Sequence, residues 1–304
     1  MPRPRSDQFV KQHIRKYLLY RCLLLTPPRT YCIIGDPIDH SLSPAMQNAA
    51  FAALSLNCTY IAFRVPAGEL KQSIESLRSI NIAGFNVTVP HKVRVMDFID
   101  ELDPSAKKAA AVNTVNNIEG IFKGYNTDIQ GFIEPLHKRK VDFREMKVLL
   151  LGGGGAARAV VVALAGETGI SKVVIANRDL ERARGLASIG STLGLACESI
   201  SLNRAPHAAS DSDLIVNSTT IGMKNEPSMI EARDIKKGSI VYDLVYRPVE
   251  TSLIENAKYA QAIVVYGYEM LVEQGARAFE IWTGLRAPRD AMKKCLFGVF
   301  GEPS

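Results

Sequence analysis

The chain predicts an α/β protein of two domains with a cleft between them. The first domain carries a mixed, mostly parallel sheet, and the second a Rossmann-type, doubly wound one. Three observations carry this. From Thr30 onward, short β-branched and aromatic runs alternate with longer amphipathic stretches. A strand-like run at 147–151 flows into Gly152-Gly153-Gly154-Gly155-Ala156-Ala157 and then into a helical pattern. The length of 304 residues accommodates about two domains of ~150 residues each.

The elements follow in order. Residues 31–34 form a strand, and 44–54 a helix with Ser43 as N-cap and Pro44 in the first helical position. A β-branched and aromatic run at 59–65 is the next strand. The spacing of Leu70, Ile74, Leu77 and Ile80 predicts one buried helical face over 69–80. A short strand at 84–87 precedes a helix after Pro90, and Asp103-Pro104 is a second cap and N1 pair. Strands at 112–117 and 121–125 flank Glu119-Gly120, a hairpin-like break, and Asp128 opens a helix. The second unit runs from strand 147–151 through helix 156–167, strand 172–176 and a helix from Leu180, with further strands at 214–216, 239–242 and 262–265. Helices at 269–283 and 288–297 close the chain, the single Trp282 lying near the end of the first.

Composition narrows the class. Hydrophobic residues make up 47% and charged residues 22%, and the mean hydropathy is +0.02, values of neither a disordered nor a polytopic membrane protein. No run reaches the ~18 apolar residues of a spanning helix; the nearest, 17–25, is short and carries Arg21. The five cysteines are scattered without a C-x-x-C pair and the five histidines form no H-E-x-x-H. This points to a reducing, cytoplasmic setting, with no metal site. The net charge of +6 is local. Residues 1–29 hold seven basic residues and one acid; taking these from totals of 37 and 31 leaves 30 of each. The body is formally neutral, so neither nucleic acid nor membrane is an expected partner. The basic segment 1–29 ends in Pro27-Pro28 and reads as an extension, an upstream start outside the working protein, an organellar targeting segment or a membrane-surface helix.

The glycine run fits G-x-G-x-x-A through Gly152, Gly154 and Ala157, and it lies where a dinucleotide motif must, between a strand and a helix. Gly152 permits the tight turn, Gly154 lets backbone approach a pyrophosphate, and Ala157 lets helix and strand pack closely. The helix N-terminus presents free N–H groups to the phosphates. After the next strand come Asn177-Arg178-Asp179-Leu180-Glu181-Arg182. Arg178 and Arg182 suit the 2′-phosphate of NADP, and Asp179 the free ribose hydroxyl of NAD, unless it simply caps the helix at Leu180. The balance favours NADP, with NAD possible.

Four polar segments mark strand ends in the first domain: Ser41-Leu42-Ser43, Asn86 to Lys92, Ala111 to Thr114, and Asn126-Thr127-Asp128. Each is expected at or just past the C-terminal end of a strand, where open α/β sheets bind ligands. Their hydroxyls, amides, amine and carboxylate suit a small polyhydroxy acid. By residue type alone, Ser43 and Asp128 also read as helix caps, Asn86 and Asn113 as turn formers, and Lys92 as a solvated lysine.

From about Thr30 to its end the sequence resembles the shikimate dehydrogenases, a family that includes shikimate/quinate dehydrogenases. The resemblance rests on G-D-P-I-D-H-S-L-S-P at 35–44, N-V-T-V-P-H-K at 86–92, A-V-N-T at 111–114, G-Y-N-T-D at 124–128, G-G-G-G-A-A-R at 152–158, N-R at 177–178, N-S-T-T-I-G-M at 217–223 and G-Y-E-M-L-V-E-Q-G-A at 267–276. It implies reversible, NADPH-dependent reduction of 3-dehydroshikimate to shikimate, on the route to aromatic amino acids. Lys92 and Asp128 would be the catalytic pair. Ser41, Ser43 and Tyr246 would hold the substrate carboxylate, and Asn86, Thr88, Asn113 and Gln274 its ring hydroxyls. The cofactor would lie against Gly152, Gly153, Gly154, Gly155, Ala156, Ala157, Asn177, Arg178, Asp179, Arg182, Thr219, Met223, Leu244 and Gly267. Family architecture implies a substrate domain at 30–129, a nucleotide domain at 130–268 and C-terminal helices at 269–304 that return to the substrate domain. Monomers and homodimers are both expected. Asp179, where threonine is common in NADP-dependent members, and Glu269, where glycine is common, depart from the family pattern.

The chemistry agrees. Ketone reduction needs a proton on oxygen, and lysine is protonated at pH 7 and can donate it. Oxidation needs the neutral amine and is expected to favour alkaline pH. Two other functions fit the scaffold: an NAD-using or dual-cofactor quinate/shikimate dehydrogenase, favoured by Asp179, and a non-catalytic ligand sensor, disfavoured by the presence of both Lys92 and Asp128.

Overall fold

The structure is a computed structural model describing residues 27–301. The readings of the basic segment, including the apolar run at 17–25, lie outside the described residues. Strands β1 (Arg29–Gly35), β2 (Cys58–Arg64), β3 (Gly84–Val87), β4 (Glu101–Leu102), β5 (Thr114–Ile118) and β6 (Ile121–Tyr125) form one sheet in the order β2-β1-β3-β5-β6-β4. β1 pairs in parallel with β2 and β3, and β4 with β6, whereas β5 is antiparallel to both its neighbours. The β5–β6 turn places Glu119 at φ 53° and Gly120 at φ 90°, as a tight hairpin of this twist requires.

Helix α1 (Ser43–Ala53) covers one face of this sheet, and α2 (Leu70–Ser79) the other. Leu70, Ile74 and Leu77 are buried as their spacing predicts, but Ile80 is 65% exposed, because the helix ends at Ser79 and the chain turns away. Helix α3 (Pro104–Ala109) is capped by Asp103, whose carboxylate accepts from the Ser105 N–H. The helix expected after Pro90 is absent. Residues 89–93 form a turn, with a 3-10 turn at Arg94–Phe98. Tertiary bonds claim that segment: Lys92 O accepts from Val112 N–H at 2.7 Å, and the buried His91 ring donates from Nε2 to Val65 O at 2.6 Å.

Helix α4 (Asp128–Lys138) leads to the second sheet: β7 (Lys147–Leu151), α5 (Gly155–Ala165), β8 (Lys172–Asn177), α6 (Leu180–Thr192), β9 (Cys197–Ser201), α7 (Ala205–Ala209), β10 (Leu214–Asn217), β11 (Ile240–Asp243), α8 (Ser252–Tyr259) and β12 (Ile263–Tyr266). All its pairs are parallel, in the order β9-β8-β7-β10-β11-β12. This is the doubly wound order, with its ligand crevice where direction reverses, between β7 and β10. β9 is an additional edge strand; with Ile200 its only buried residue, Cys197–Ser201 offers little apolar signal.

The chain ends in α9 (Gly267–Thr283) and α10 (Arg289–Phe300), which pack on the first sheet beside Tyr31, Met46, Phe51 and Tyr60. Trp282 stacks on Tyr31 at 4.9 Å and donates to Val115 O at 2.9 Å. Gly84 makes room: a Cβ there would lie 2.5 Å from the indole nitrogen. α4 contributes Phe132 to the second core, stacked on Tyr242 at 5.1 Å. Among the described residues no helix is long and apolar enough to cross a membrane.

Candidate active site

The polar segments of the first domain meet at one sheet edge. β1, β3 and β6 deliver residues 36–43, 88–92 and 126–128 from their C-terminal ends. Asn113 differs from expectation: it precedes β5 rather than following a strand. Because β5 runs antiparallel, its start lies at the same edge as the ends of its neighbours.

At this edge Lys92 Nζ donates to Asp128 Oδ2 at 2.7 Å, with the lysine side chain 15% and the aspartate 5% exposed. The other carboxylate oxygen accepts from Asn113 Nδ2 at 2.8 Å. Asp128 is the first residue of α4 rather than its cap, and its side chain is committed to Lys92 and Asn113. Asn113 also donates to Thr127 Oγ1 and accepts from Thr127 N–H at 2.7 Å. Asn126 ties the turn down, donating to Ala111 O and accepting from Asp128 N–H. Asn86 donates to Thr114 Oγ1 and Asn113 O, and accepts from the Tyr60 hydroxyl at 2.6 Å. Thr114, Asn126 and Thr127 belong to the polar segments 111–114 and 126–128 but had no role assigned from sequence, and Tyr60 lies in no motif; only the adjacency of strands joins them.

The serine loop sits beside this cluster. Ser43 is not an N-cap but the first residue of α1; its N–H donates to Ser41 Oγ at 3.3 Å, and its side chain is buried. Tyr246, from the loop after β11, brings its hydroxyl to the Leu42 N–H, and burial raises its pKa. The second sheet thus supplies a hydroxyl to the serine loop of the first. Thr88 is half-buried one residue past β3. Gln274, on α9, packs its Cβ over Gly131, while its amide N–H donates to Leu271 O.

The glycine turn faces the same cleft. Gly152 adopts φ 117°, which suits glycine, and a Cβ there would strike Ser218. A Cβ at Gly153 would lie 2.9 Å from Asn177 Nδ2, but one at Gly154 would meet nothing within 4 Å. That exposed, open position at the start of α5 is the cradle a pyrophosphate requires. Gly155 abuts Lys92, whose Cδ and Cβ would lie 3.1 and 3.2 Å from a Cβ there. Ala156 is half-buried and Ala157 wholly buried. Arg178 is exposed at the end of β8, and Asp179 caps α6, accepting from Glu181 and Arg182 N–H groups while pairing with Arg182 at 3.3 Å. The residues present fit a dinucleotide, and Arg178 suits a 2′-phosphate.

Behind the turn, Asp243 is fully buried at the end of β11. It accepts from Asn217 Nδ2, Val245 N–H and Thr251 Oγ1, yet burial pushes its carboxyl up to about 6. Thr219 is held by Asn217 at 2.7 Å, and Met223 is 45% exposed. Leu244 and Gly267 meet at a close backbone approach, where a Cβ on Gly267 would lie 2.4 Å from Val245 O.

Comparison with known proteins identifies the family. Profiles of the shikimate dehydrogenase substrate binding domain, the shikimate / quinate 5-dehydrogenases and the shikimate 5′-dehydrogenase C-terminal domain match residues 33–115, 135–257 and 267–296. A shikimate dehydrogenase (NADP+) of Nitrosopumilus maritimus is 48% identical over 272 residues, covering 90% of this chain and 99% of the relative. A shikimate dehydrogenase solved in complex with NADP+ superposes with a TM-score of 0.82 at 36% identity, covering 90% of this chain and 96% of that one. The Thermus thermophilus enzyme, solved with NADP(H) and shikimate, gives 0.78 at 34%, covering 88% and 98%.

Proposed function

The chain belongs to the shikimate dehydrogenase family, and from that premise we propose that it catalyses the reversible, NADPH-dependent reduction of 3-dehydroshikimate to shikimate in aromatic amino acid biosynthesis. The observation that carries this is the 2.7 Å Lys92–Asp128 pair in the cleft that Gly155 borders.

The residues divide the work. Ser41, Ser43 and Tyr246 converge on one loop and take the substrate carboxylate, while Asn86, Thr88 and Gln274 face the ring hydroxyls. Asn113 lines the same pocket and holds Asp128 in place. Bound NADPH supplies the hydride. The Lys92 ammonium gives a proton to the carbonyl oxygen as that oxygen gains charge, and the amine takes it back when shikimate is oxidised. Asp128 aims the ammonium and offsets its place near the positive end of α5. Gly152 to Ala157 cradle the pyrophosphate and Asn177, Arg178 and Arg182 the adenosine end, with Asp179 shaping the turn as a cap. Thr219, Met223, Leu244 and Gly267 border the nicotinamide end.

We assign residues 30–129 with 269–304 to the substrate unit and 130–268 to the nucleotide unit, a division supported by the packing of α9 and α10 on the first sheet. The four described cysteines, Cys32, Cys58, Cys197 and Cys295, are free thiols, in keeping with a cytoplasmic enzyme. Monomer and homodimer alike suit this chemistry.

The test is the rate of shikimate oxidation, followed at 340 nm with NADP and with NAD, beside quinate under the same conditions. NADP reduction with shikimate well above the other three combinations is expected. Faster turnover with NAD or quinate would move the chain to the dual-specificity reading, and binding without turnover to the sensor.

A further inference from the structure

We infer that Tyr60 is a positioning residue of the substrate site, holding the Asn86 amide in the one orientation that serves both the ring pocket and the Asn113–Asp128 link. The inference rests on the shikimate reading above and adds a residue to it.

Tyr60 lies on β2, the edge strand of the first sheet. An edge strand exposes backbone groups that ordinarily meet solvent or another chain. Here Asn48 of α1 takes both: Tyr60 N–H donates to its Oδ1, and its Nδ2 donates to Tyr60 O, each at 2.8 Å. The ring is 1% exposed and lies 5.9 Å from that of Trp282. Backbone and ring are therefore both held, and the hydroxyl has one direction, toward Asn86 Oδ1 at 2.6 Å.

The consequence runs through the amides. With Oδ1 accepting from Tyr60, Asn86 Nδ2 faces Thr114 Oγ1 at 2.9 Å and Asn113 O at 3.1 Å, both of which need a donor. Thr114 then donates to Asn113 Oδ1 at 3.1 Å, and Asn113 Nδ2 turns to Asp128 at 2.8 Å. The two amides have their donor and acceptor ends set by their neighbours, Asn86 by Tyr60 and Asn113 by Thr114 together with Thr127 N–H. Burial keeps Tyr60 a donor, raising its pKa well above the ordinary tyrosine range. Tyr60 touches neither Lys92 nor Asp128, so it acts through Asn86 on binding more than on proton transfer.

Tyr60→Phe keeps the ring and removes only the donor. In steady-state assays of the full chain with shikimate and NADP, KM for shikimate is expected to rise ~10-fold, with kcat within ~3-fold and KM for NADP unchanged, the loss appropriate to one buried hydrogen bond. Thermal melting of the same variant separates folding from positioning, since lower stability alone leaves KM where it was. An unchanged KM for shikimate, whatever the melting temperature, overturns the inference while leaving the dehydrogenase reading intact. A wild-type chain that does not oxidise shikimate overturns that reading and, with it, the role of Tyr60.

Discussion

On the first sheet's side of the cleft, polar side chains hold one another. Lys92, Asp128, Asn113, Thr127, Thr114, Asn86 and Tyr60 form an unbroken series of bonds between 2.6 and 3.1 Å, and all but Lys92 are buried. On the second sheet's side, the surface is built from what is missing: Gly154 opens onto free space, Arg178 is exposed, and the enclosed polar groups, Asp243 with Asn217 and Thr251, lie beneath the site rather than in it. The difference teaches where specificity resides. A ring with several hydroxyls needs groups fixed in direction, which side-chain networks supply, while a pyrophosphate needs backbone N–H groups and room, which glycines supply.

The contrast is testable by how steeply each side responds to single changes. The largest effect is expected from Lys92→Ala, with kcat falling ~10²–10⁴-fold, the range of a positioned acid–base group, and KM changing much less. Retained turnover in stopped-flow or steady-state assays would take the proton donor away from Lys92.

Next is Asp243, the exception on the open side. Burial holds its carboxyl at about 6 in the folded protein against an ordinary 3.8. A raised folded-state pKa means that the native state binds a proton the unfolded chain releases between these values. This group's contribution to stability is therefore fully present below the unfolded value and is lost as pH rises through about 6. The penalty above that is of order 3 kcal/mol at ~1.36 kcal/mol per pKa unit. Urea denaturation of wild type and Asp243→Asn should show the variant gaining on wild type as pH climbs from 4 to 7. Parallel stability profiles would mean that the burial cost is balanced by the three hydrogen bonds.

Arg178→Gln should raise KM for NADP about 10-fold and leave KM for NAD unchanged, the loss of one charge-assisted phosphate contact. Equal effects on both cofactors would place the guanidinium on the adenine instead. The smallest change is expected from Asp179→Thr. Threonine also caps helices, so the ratio of NADP to NAD activity should move a few-fold at most. A large swing would show the carboxylate reaching the ribose in the loaded enzyme.

Much of the second domain was legible because its signals are contiguous. The G-x-G-x-x-A turn, the β-branched strands before and after it, and Asp179 as a cap all lie within a few residues of what they organise. The first domain was harder. Ser43 and Asp128 have the residue type and place of N-caps, and each proved to lie one position inside its helix, with Asp128 engaged by Lys92 and Asn113. The motif N-V-T-V-P-H-K suggested a helix after its proline, but bonds from Val112 and Val65, residues remote in sequence, hold that segment as a turn.

Local pattern was enough to establish the α/β class, the doubly wound second sheet, the phosphate turn and the inventory of polar groups at strand ends, because spacing, caps and glycines act over a few residues. Which of those groups touch was settled by strand order and direction. Lys92 and Asp128 are 36 residues apart, and Tyr60 and Asn86 are 26 apart. Asn113 reaches them only because β5 runs against its neighbours. A hydrogen bond between side chains on different strands depends on register and sense across the sheet, and neither is written in the residues that form the bond.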